Sequence, residues 1–205
     1  MSSSPDRQPI EDRQPGSYLQ VRAAQIGDAS AVAEILADSF HSKEGMMGWA
    51  YPLLRLGIYE DLRSRLQTST ARHVCLVAAK GTAKVEYPSG KICSGGEIIA
   101  GTLEISVRPS SIPWGQNYLR YPYLSNLAVR QGDRRQGIAL QLLLNCEKVV
   151  LKWGFHDIYL HVLEDNYQAR QLYLKLGYRL HQIESSWSNR ILGRPQQILL
   201  HKYLP

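Results

Sequence analysis

The residues best suited to chemistry in this sequence form a short run that contains two arginines and a glycine. The run is Arg134-Arg135-Gln136-Gly137-Ile138-Ala139, and it lies between a predicted strand, Tyr121–Val129, and an apolar helix that starts near Gly137. A glycine beside a small residue at a helix start lets a ligand approach backbone N–H groups. These groups, the helix dipole and the two arginine charges together predict a bound phosphate. The run has neither the Lys-Ser/Thr of a P-loop nor a three-glycine dinucleotide fingerprint, so neither of those motifs applies.

Four helices and seven strands are predicted around this run. Apolar residues at helical spacing predict helices at about 28–40, Tyr51–Gln67, Gly137–Trp153 and Asn166–Leu176. Short apolar or alternating segments predict strands at Tyr18–Arg22, His73–Ala79, Glu97–Arg108, Arg120–Val129, Asp157–Leu163, Tyr178–Ser185 and Gln196–Leu204. Residues 80–96, rich in glycine and proline, predict a loop or hairpin insertion. The order predicts one α/β or α+β domain with a mixed sheet, at residues 18–205, after a disordered polar tail at 1–17.

Composition narrows the class of protein. A chain of 205 residues with 44% hydrophobic content is long enough for one well-packed core. The net charge of +6 is spread along the chain without a long basic run, so we expect no nucleic-acid partner. The odd number of cysteines, the absence of a membrane-length apolar run and the lack of an apolar signal core favour a soluble, cytoplasmic protein. No HExxH motif or Cys/His cluster predicts a metal site.

Two motifs follow each other in this chain, separated by one helix and one strand. The first is Arg134-x-x-Gly137-x-Ala139, and the second is Asn166-x-x-Ala169-x-x-x-Tyr173-x-Lys175-x-Gly177-Tyr178. In this order they resemble the core of the Gcn5-related N-acetyltransferase (GNAT) superfamily. Within it, the segment from Leu124 to Tyr178 is most similar to bacterial and plastid protein acetyltransferases. The resemblance implies the GNAT fold, a mixed central sheet of about seven strands flanked by four helices.

The resemblance also implies acetyl-CoA as the co-substrate and no metal. The pyrophosphate would lie on the loop at Arg134–Ala139 and the helix start. The pantetheine arm would pair with the edge of Leu127–Val129, because the resemblance implies that this strand splays away from Ile158–Val162. The implied cofactor residues are Leu127, Ala128, Val129, Arg134, Arg135, Gln136, Gly137, Ile138, Ala139, Leu140, Asn166, Ala169 and Tyr173. Asn166 stands at a helix start, where its side chain could instead cap the helix.

The resemblance also implies catalytic roles for residues of this chain. The resemblance implies that the hydroxyl of Tyr173 assists the CoA sulfur as it leaves, although an aromatic residue on that helix face is more often core. The base has two candidates. His161 with Tyr123, on the neighbouring strand, resembles the pair that works through an ordered water in some N-terminal acetyltransferases; alternatively, His161 is simply satisfied within the sheet. Glu104 is the carboxylate candidate, and its alternative is an ordinary solvent-facing strand residue.

The expected function is acetyl-CoA-dependent N-acetylation of a protein or peptide amine by direct transfer. An α-amine is roughly one third neutral at pH 7.5, whereas a lysine amine is only about 0.1% neutral, so the two acceptors make different demands on the base. Both acceptors stay open at this stage. The alternatives are acetylation of a small amine, such as an arylalkylamine or polyamine, and a regulator that binds acyl-CoA without turnover. The expected assembly is a monomer or homodimer.

Overall fold

The structure is a computed structural model that describes residues 17–40, 51–68, 72–82, 85–86, 92–93, 96–109, 120–184 and 196–205. The predicted disordered tail therefore lies outside the described residues, except for Ser17, which begins the first strand. None of the described helices is long and apolar enough to cross a membrane. Within the same ranges, no group of His, Cys, Asp and Glu side chains could hold a metal ion.

The helices and strands follow the predicted order closely. The helices are α1 (Ala29–Phe40), α2 (Tyr51–Gln67), α3 (Ile138–Lys152) and α4 (Tyr167–Lys175). The strands are β1 (Ser17–Ala23), β2 (His73–Thr82), β3 (Val85–Glu86), β4 (Ile92–Cys93), β5 (Glu97–Pro109), β6 (Arg120–Val129), β7 (Asp157–Leu163), β8 (Arg179–Glu184) and β9 (Gln197–Tyr203). Within the predicted insertion, β3 and β4 pair as a small separate hairpin.

Seven strands form one mixed sheet, as the resemblance implies, and their order is β1-β2-β5-β6-β7-β9-β8. Every neighbouring pair is antiparallel except β6 and β7, which run parallel. A parallel pair needs a crossover connection, and here α3 supplies it. The N-terminus of α3 is thereby placed just beyond the carboxyl end of β6, where the predicted phosphate loop lies.

Helices cover the two faces of the sheet, and the alternation of strand side chains shows why. On β2, Leu76 and Ala78 join the buried cluster that contains α3 residues and Tyr173 of α4. The intervening Val77 and Ala79 join the cluster that contains α1 residues and Leu62 of α2. Because successive side chains of a strand point to opposite faces, the middle of β2, Leu76–Ala79, is apolar on both faces and packs between the two helix layers. The site described next lies where this packed sheet opens.

Candidate functional site

The sheet opens between its two parallel strands. The β6–β7 pairing joins Tyr123 to Tyr159 and Leu124 to Leu160, whereas β7 pairs with β9 along its whole length. Beyond Leu124 the two parallel strands diverge, and a cavity of about 770 Å³ lies between them. We call this cavity the notch. It is bounded by 123–129 of β6, 161–163 of β7, the start of α3 and one face of α4.

Most of the predicted site residues line the notch. The predicted residues that do so are Tyr123, Leu127, Ala128, Val129, Arg134, Arg135, Gly137, Ile138, Ala139, Leu140, His161, Asn166, Ala169 and Tyr173. Two predicted residues do not line it. Gln136 turns away, since its side-chain oxygen accepts a hydrogen bond from Lys80 at 3.0 Å and its amide donates to the Gly132 carbonyl at 3.4 Å. Glu104 is on β5, on the side of β6 away from β7.

The loop before α3 has the geometry expected of an anion site. Gly137 is the N-cap residue of α3 with φ +78°, and it supplies no side-chain cap to the first turn. Arg135 also has a left-handed φ of +64° and is exposed. The Nε of Arg134 donates to the Val129 carbonyl at 3.2 Å, which ties the loop to the end of β6. An uncapped helix start beside two arginines attracts a phosphate group through backbone N–H groups and charge.

At the other end of the notch, two predicted catalytic side chains meet. The hydroxyl of Tyr123 and Nδ1 of His161 are 2.8 Å apart, within hydrogen-bond distance. The residues come from β6 and β7, on the sheet face opposite Ile158, Leu160 and Val162, which are buried. The guanidinium carbon of Arg108 lies 3.6 Å from the centre of the Tyr123 ring, a cation–π contact. The pairing predicted from the sequence is thus present in the structure, and its catalytic role stays a prediction.

Tyr173 lies on α4 with only 6% of its surface exposed, and it lines the notch. Its ring packs edge-on against Tyr178 with the ring centres 5.6 Å apart. Burial, followed by the nearby hydroxyl of Tyr123 and the thiol of Cys146, raises the pKa of Tyr173 above its ordinary value. The hydroxyl therefore keeps its proton at neutral pH and is available as an acid.

Asn166 is the N-cap of α4. Its side-chain oxygen accepts a hydrogen bond from the Ala169 backbone N–H at 3.2 Å, so the capping role considered from the sequence is present. The same side chain lines the notch. Because the cap uses the oxygen, the amide nitrogen can still donate to a ligand, and the predicted cofactor contact is compatible with the cap.

Glu104 occupies a different environment from the solvent-facing one considered from the sequence. Only 3% of its surface is exposed, and its carboxylate accepts hydrogen bonds from Arg65 at 2.7 Å, from Asn126 at 2.6 Å and from His73. Burial alone would raise the pKa of Glu104, but the hydrogen bond from His73 and the charge of Arg65 outweigh it and lower the pKa to about 2. The carboxylate is therefore ionised and fully engaged. Its role as the base stays a prediction.

Sequence reasoning missed the partners of Glu104. Arg65 comes from α2, His73 from β2 and Asn126 from β6, so all three partners are distant in sequence from Glu104 on β5. One local signal existed. Asparagine is disfavoured inside strands, and Asn126 interrupts the otherwise strand-like stretch from Tyr121 to Val129.

Comparison with known proteins places this geometry in a family. Residues 55–178 match the sequence profile of the "Acetyltransferase (GNAT) family". The chloroplastic GCN5-related N-acetyltransferase 7 of Arabidopsis thaliana is 38% identical over 107 residues, which is 52% of this chain and 36% of that protein. The chloroplastic GCN5-related N-acetyltransferase 10 of the same plant is 27% identical over 173 residues, which is 83% of this chain and 66% of that protein. The chain thus spans less than two thirds of each of these relatives.

Solved structures share the fold. The PaiA N-acetyltransferase of Thermoplasma acidophilum in complex with coenzyme A superposes with a TM-score of 0.61 at 16% identity, covering 91% of this chain and 99% of that chain. Arabidopsis thaliana NAA60 in complex with a bisubstrate analogue gives a TM-score of 0.60 at 18% identity, covering 91% and 98%. These likenesses show the shared fold, and the profile match across more than half of the sequence shows that the chain belongs to the acetyltransferase (GNAT) family.

Proposed function

We propose that this protein is an acetyl-CoA-dependent N-acetyltransferase that acts on protein amines and prefers N-terminal α-amines to lysine. The observation that carries the proposal is the arrangement of the notch. An anion-binding loop lies at one end, and the Tyr123–His161 pair lies at the other, with Tyr173 lining the same cavity. The anion-binding loop suits the phosphates of a nucleotide-linked thioester, and the Tyr123–His161 pair suits an amine that must lose a proton to attack that thioester.

The residues present fit acetyl-CoA. The start of α3 offers uncapped backbone N–H groups, and Arg134 and Arg135 add positive charge for the pyrophosphate. Because β6 leaves β7 after Leu124, the edge of Leu127–Val129 borders the notch and can pair with the pantetheine amides as an added strand. When bound, acetyl-CoA supplies the activated acetyl group, whose thioester carbonyl carbon forms the new bond to nitrogen as its bond to sulfur breaks.

The chain's own groups then manage protons and charge. His161, hydrogen-bonded to Tyr123, takes a proton from the acceptor amine directly or through a water. Backbone N–H groups near Val129 stabilise the negative charge that develops on the carbonyl oxygen. Tyr173, whose pKa is raised by burial, donates its proton to the departing sulfur. His161 then releases the amine proton to solvent and the Tyr173 phenolate regains a proton from solvent, so both side chains return to their starting states and the proton lost by the amine equals the one gained by the thiol.

The preference for α-amines follows from the base. Glu104 is saturated by three donors, and its pKa of about 2 makes it a weak proton acceptor, which leaves the His161–Tyr123 pair. An imidazole accepts protons near neutral pH, which suffices for an α-amine that is already roughly one third neutral at pH 7.5. A lysine amine, about 0.1% neutral without help, would need a stronger base.

The test supplies acetyl-CoA together with matched acceptors. One peptide has a free N-terminus and no lysine, a second has a blocked N-terminus and one lysine, and a set of small amines includes an arylalkylamine and a polyamine. Mass spectrometry locates the added acetyl group, and a reaction without protein serves as the control for non-enzymatic acetylation. We expect the α-amine peptide to be acetylated faster than the lysine peptide. Acetylation confined to the small amines would overturn the proposal of a protein acceptor.

A further inference from the structure

The Glu104 carboxylate accepts hydrogen bonds from three side chains, yet Glu104 does not line the notch. One carboxylate oxygen, Oε1, accepts from Arg65 at 2.7 Å and from His73, and the other, Oε2, accepts from the side-chain amide of Asn126 at 2.6 Å. An ionised carboxylate only accepts hydrogen bonds, so Nε2 of His73 carries the proton in this contact. A buried charge persists only when it is paired in this way. The arrangement directs the whole carboxylate toward neighbouring side chains.

One of those neighbours stands at an irregular point of β6. Asn126 has a left-handed φ of +55°, and the β5–β6 register shifts there, from Glu104 opposite Ser125 to Thr102 opposite Ala128. Two residues of β6, Asn126 and Leu127, therefore face a single residue of β5, which is a β-bulge. Asparagine tolerates this backbone conformation better than most residues, but a non-glycine residue holds it only when its surroundings fix it.

The bulge coincides with the start of the notch. The last β6 residue paired with β7 is Leu124, and Asn126 and Leu127 are among the residues that line the cavity. The bulge redirects β6 just where it must leave β7 and present its edge. The hydrogen bond between Asn126 and Glu104 therefore connects the buried ionic cluster directly to the strand edge that would meet the pantetheine arm.

We propose that Glu104 is a positioning residue rather than the base: held by Arg65 and His73, it fixes Asn126 in the bulge that opens the notch for acetyl-CoA. The inference rests on the proposed function, because it assigns the β6 edge to the co-substrate. It also names Asn126 as a residue on which co-substrate affinity depends. A general base must reach the proton it removes. Glu104 instead presents its oxygens to Arg65, His73 and Asn126, behind the strand that borders the cavity.

The test compares Glu104→Gln, Asn126→Ala, Asn126→Gly and the double variant Glu104→Gln with Asn126→Ala. Titration of CoA without an acceptor gives Kd, steady-state assays give kcat and KM for acetyl-CoA, and a melt gives Tm. The matched control is Glu147→Gln, which breaks a partly buried ion pair, Glu147 with Lys202 at 2.7 Å between α3 and β9. That control should lower Tm and leave the Kd for CoA unchanged.

We expect Glu104→Gln and Asn126→Ala each to raise the Kd for CoA about tenfold, the scale of one charge-assisted hydrogen bond. The double variant should bind CoA no more weakly than Asn126→Ala alone, because both changes break the same contact. Asn126→Gly should lose less affinity than Asn126→Ala, since glycine adopts a left-handed φ without strain. The pH dependence of kcat/KM in Glu104→Gln should keep the wild-type shape.

Two results would overturn the inference. One is a large loss of kcat in Glu104→Gln with an unchanged Kd for CoA and an additive effect of Asn126→Ala, which is the behaviour of a base. The other is a fall in Tm alone, with the Kd for CoA unaffected in every variant. If the wild-type protein fails to bind CoA, the proposed function itself is wrong, so the two failures are distinguishable.

Discussion

Two glycines at opposite ends of α3 offer a matched test of the anion loop. Gly137 precedes the helix with φ +78°, and Gly154 follows it with φ +82°. A Cβ atom added at either position would meet nothing within 4 Å. Substitution by alanine therefore introduces the same backbone strain at both ends and no steric clash at either.

The stability cost of the two substitutions should be equal. An L-residue forced into the left-handed region loses about 1 kcal/mol, which in a chain of this size lowers Tm by about 2–4 °C. The affinity for CoA, in contrast, should differ between Gly137→Ala and Gly154→Ala. Gly137 lines the notch, whereas Gly154 lies beyond the far end of the 15-residue α3, a helix about 22 Å long. A methyl group at Gly137 obstructs the approach of a phosphate to the first N–H groups of α3, and losing one such charge-assisted contact weakens binding about tenfold or more.

Calorimetric titration with CoA and a thermal melt of Gly137→Ala and Gly154→Ala measure both quantities. The predicted pattern is a similar fall in Tm in both variants and a loss of CoA affinity in Gly137→Ala alone. Wild-type affinity in Gly137→Ala would refute the pyrophosphate site. An equal loss of affinity in both variants would show that the effect arises from strain in α3 rather than from the loop.

Three further predictions concern the catalytic end of the notch and its ionic cluster. Tyr173→Phe should lower kcat about a hundredfold or more with little change in the Kd for CoA, because the lost hydroxyl acts only as the sulfur departs; a wild-type kcat would exclude the role. His161→Ala and Tyr123→Phe should slow transfer to an α-amine at pH 7 and less so at pH 9, where the amine is neutral without help; an equal deficit at both pH values would argue against a role in deprotonation. The pKa of Glu104 is lowered from 4.5 to about 2 in the folded protein, so its ion pairs stabilise the fold above pH 4.5, and this contribution is lost as the pH falls toward 2. In urea unfolding, the free energy of unfolding of the wild type should exceed that of Glu104→Gln, and this difference should shrink by up to about 3 kcal/mol between pH 4.5 and 2. A difference that stays constant with pH would contradict the ionised cluster.

Much of the fold and of the notch could be predicted from local sequence. The phosphate loop is readable because Gly137 and the arginines are contiguous, and the order of helices and strands is readable because α3 and β7 have clear apolar periodicity. The Tyr123–His161 contact followed from the resemblance, which implies that the two strands are neighbours. In each case the decisive residues are close in sequence or belong to a known motif.

The cluster around Glu104 was not predictable in this way. It joins α2, β2, β5 and β6. The contact of Arg65 with Glu104 depends on how α2 packs over the sheet, and that of His73 depends on the β2–β5 register. From the sequence, Glu104 had the alternation of a half-exposed strand, and only the packed structure shows it to be buried. The cytoplasmic location and the monomer or homodimer assembly stay predictions; the Arabidopsis relatives are chloroplastic by name.

The most direct measurement of the central claim is the amount of acetylated α-amine peptide formed per mole of protein with excess acetyl-CoA. The notch should bind acetyl-CoA and turn it over, so many acetylated peptides should form per protein molecule, and Tyr173→Phe should bind CoA yet form far fewer. If the wild-type protein binds CoA tightly but acetylates no peptide or small amine above a protein-free control, the notch is a binding site without catalysis and the proposed function is wrong.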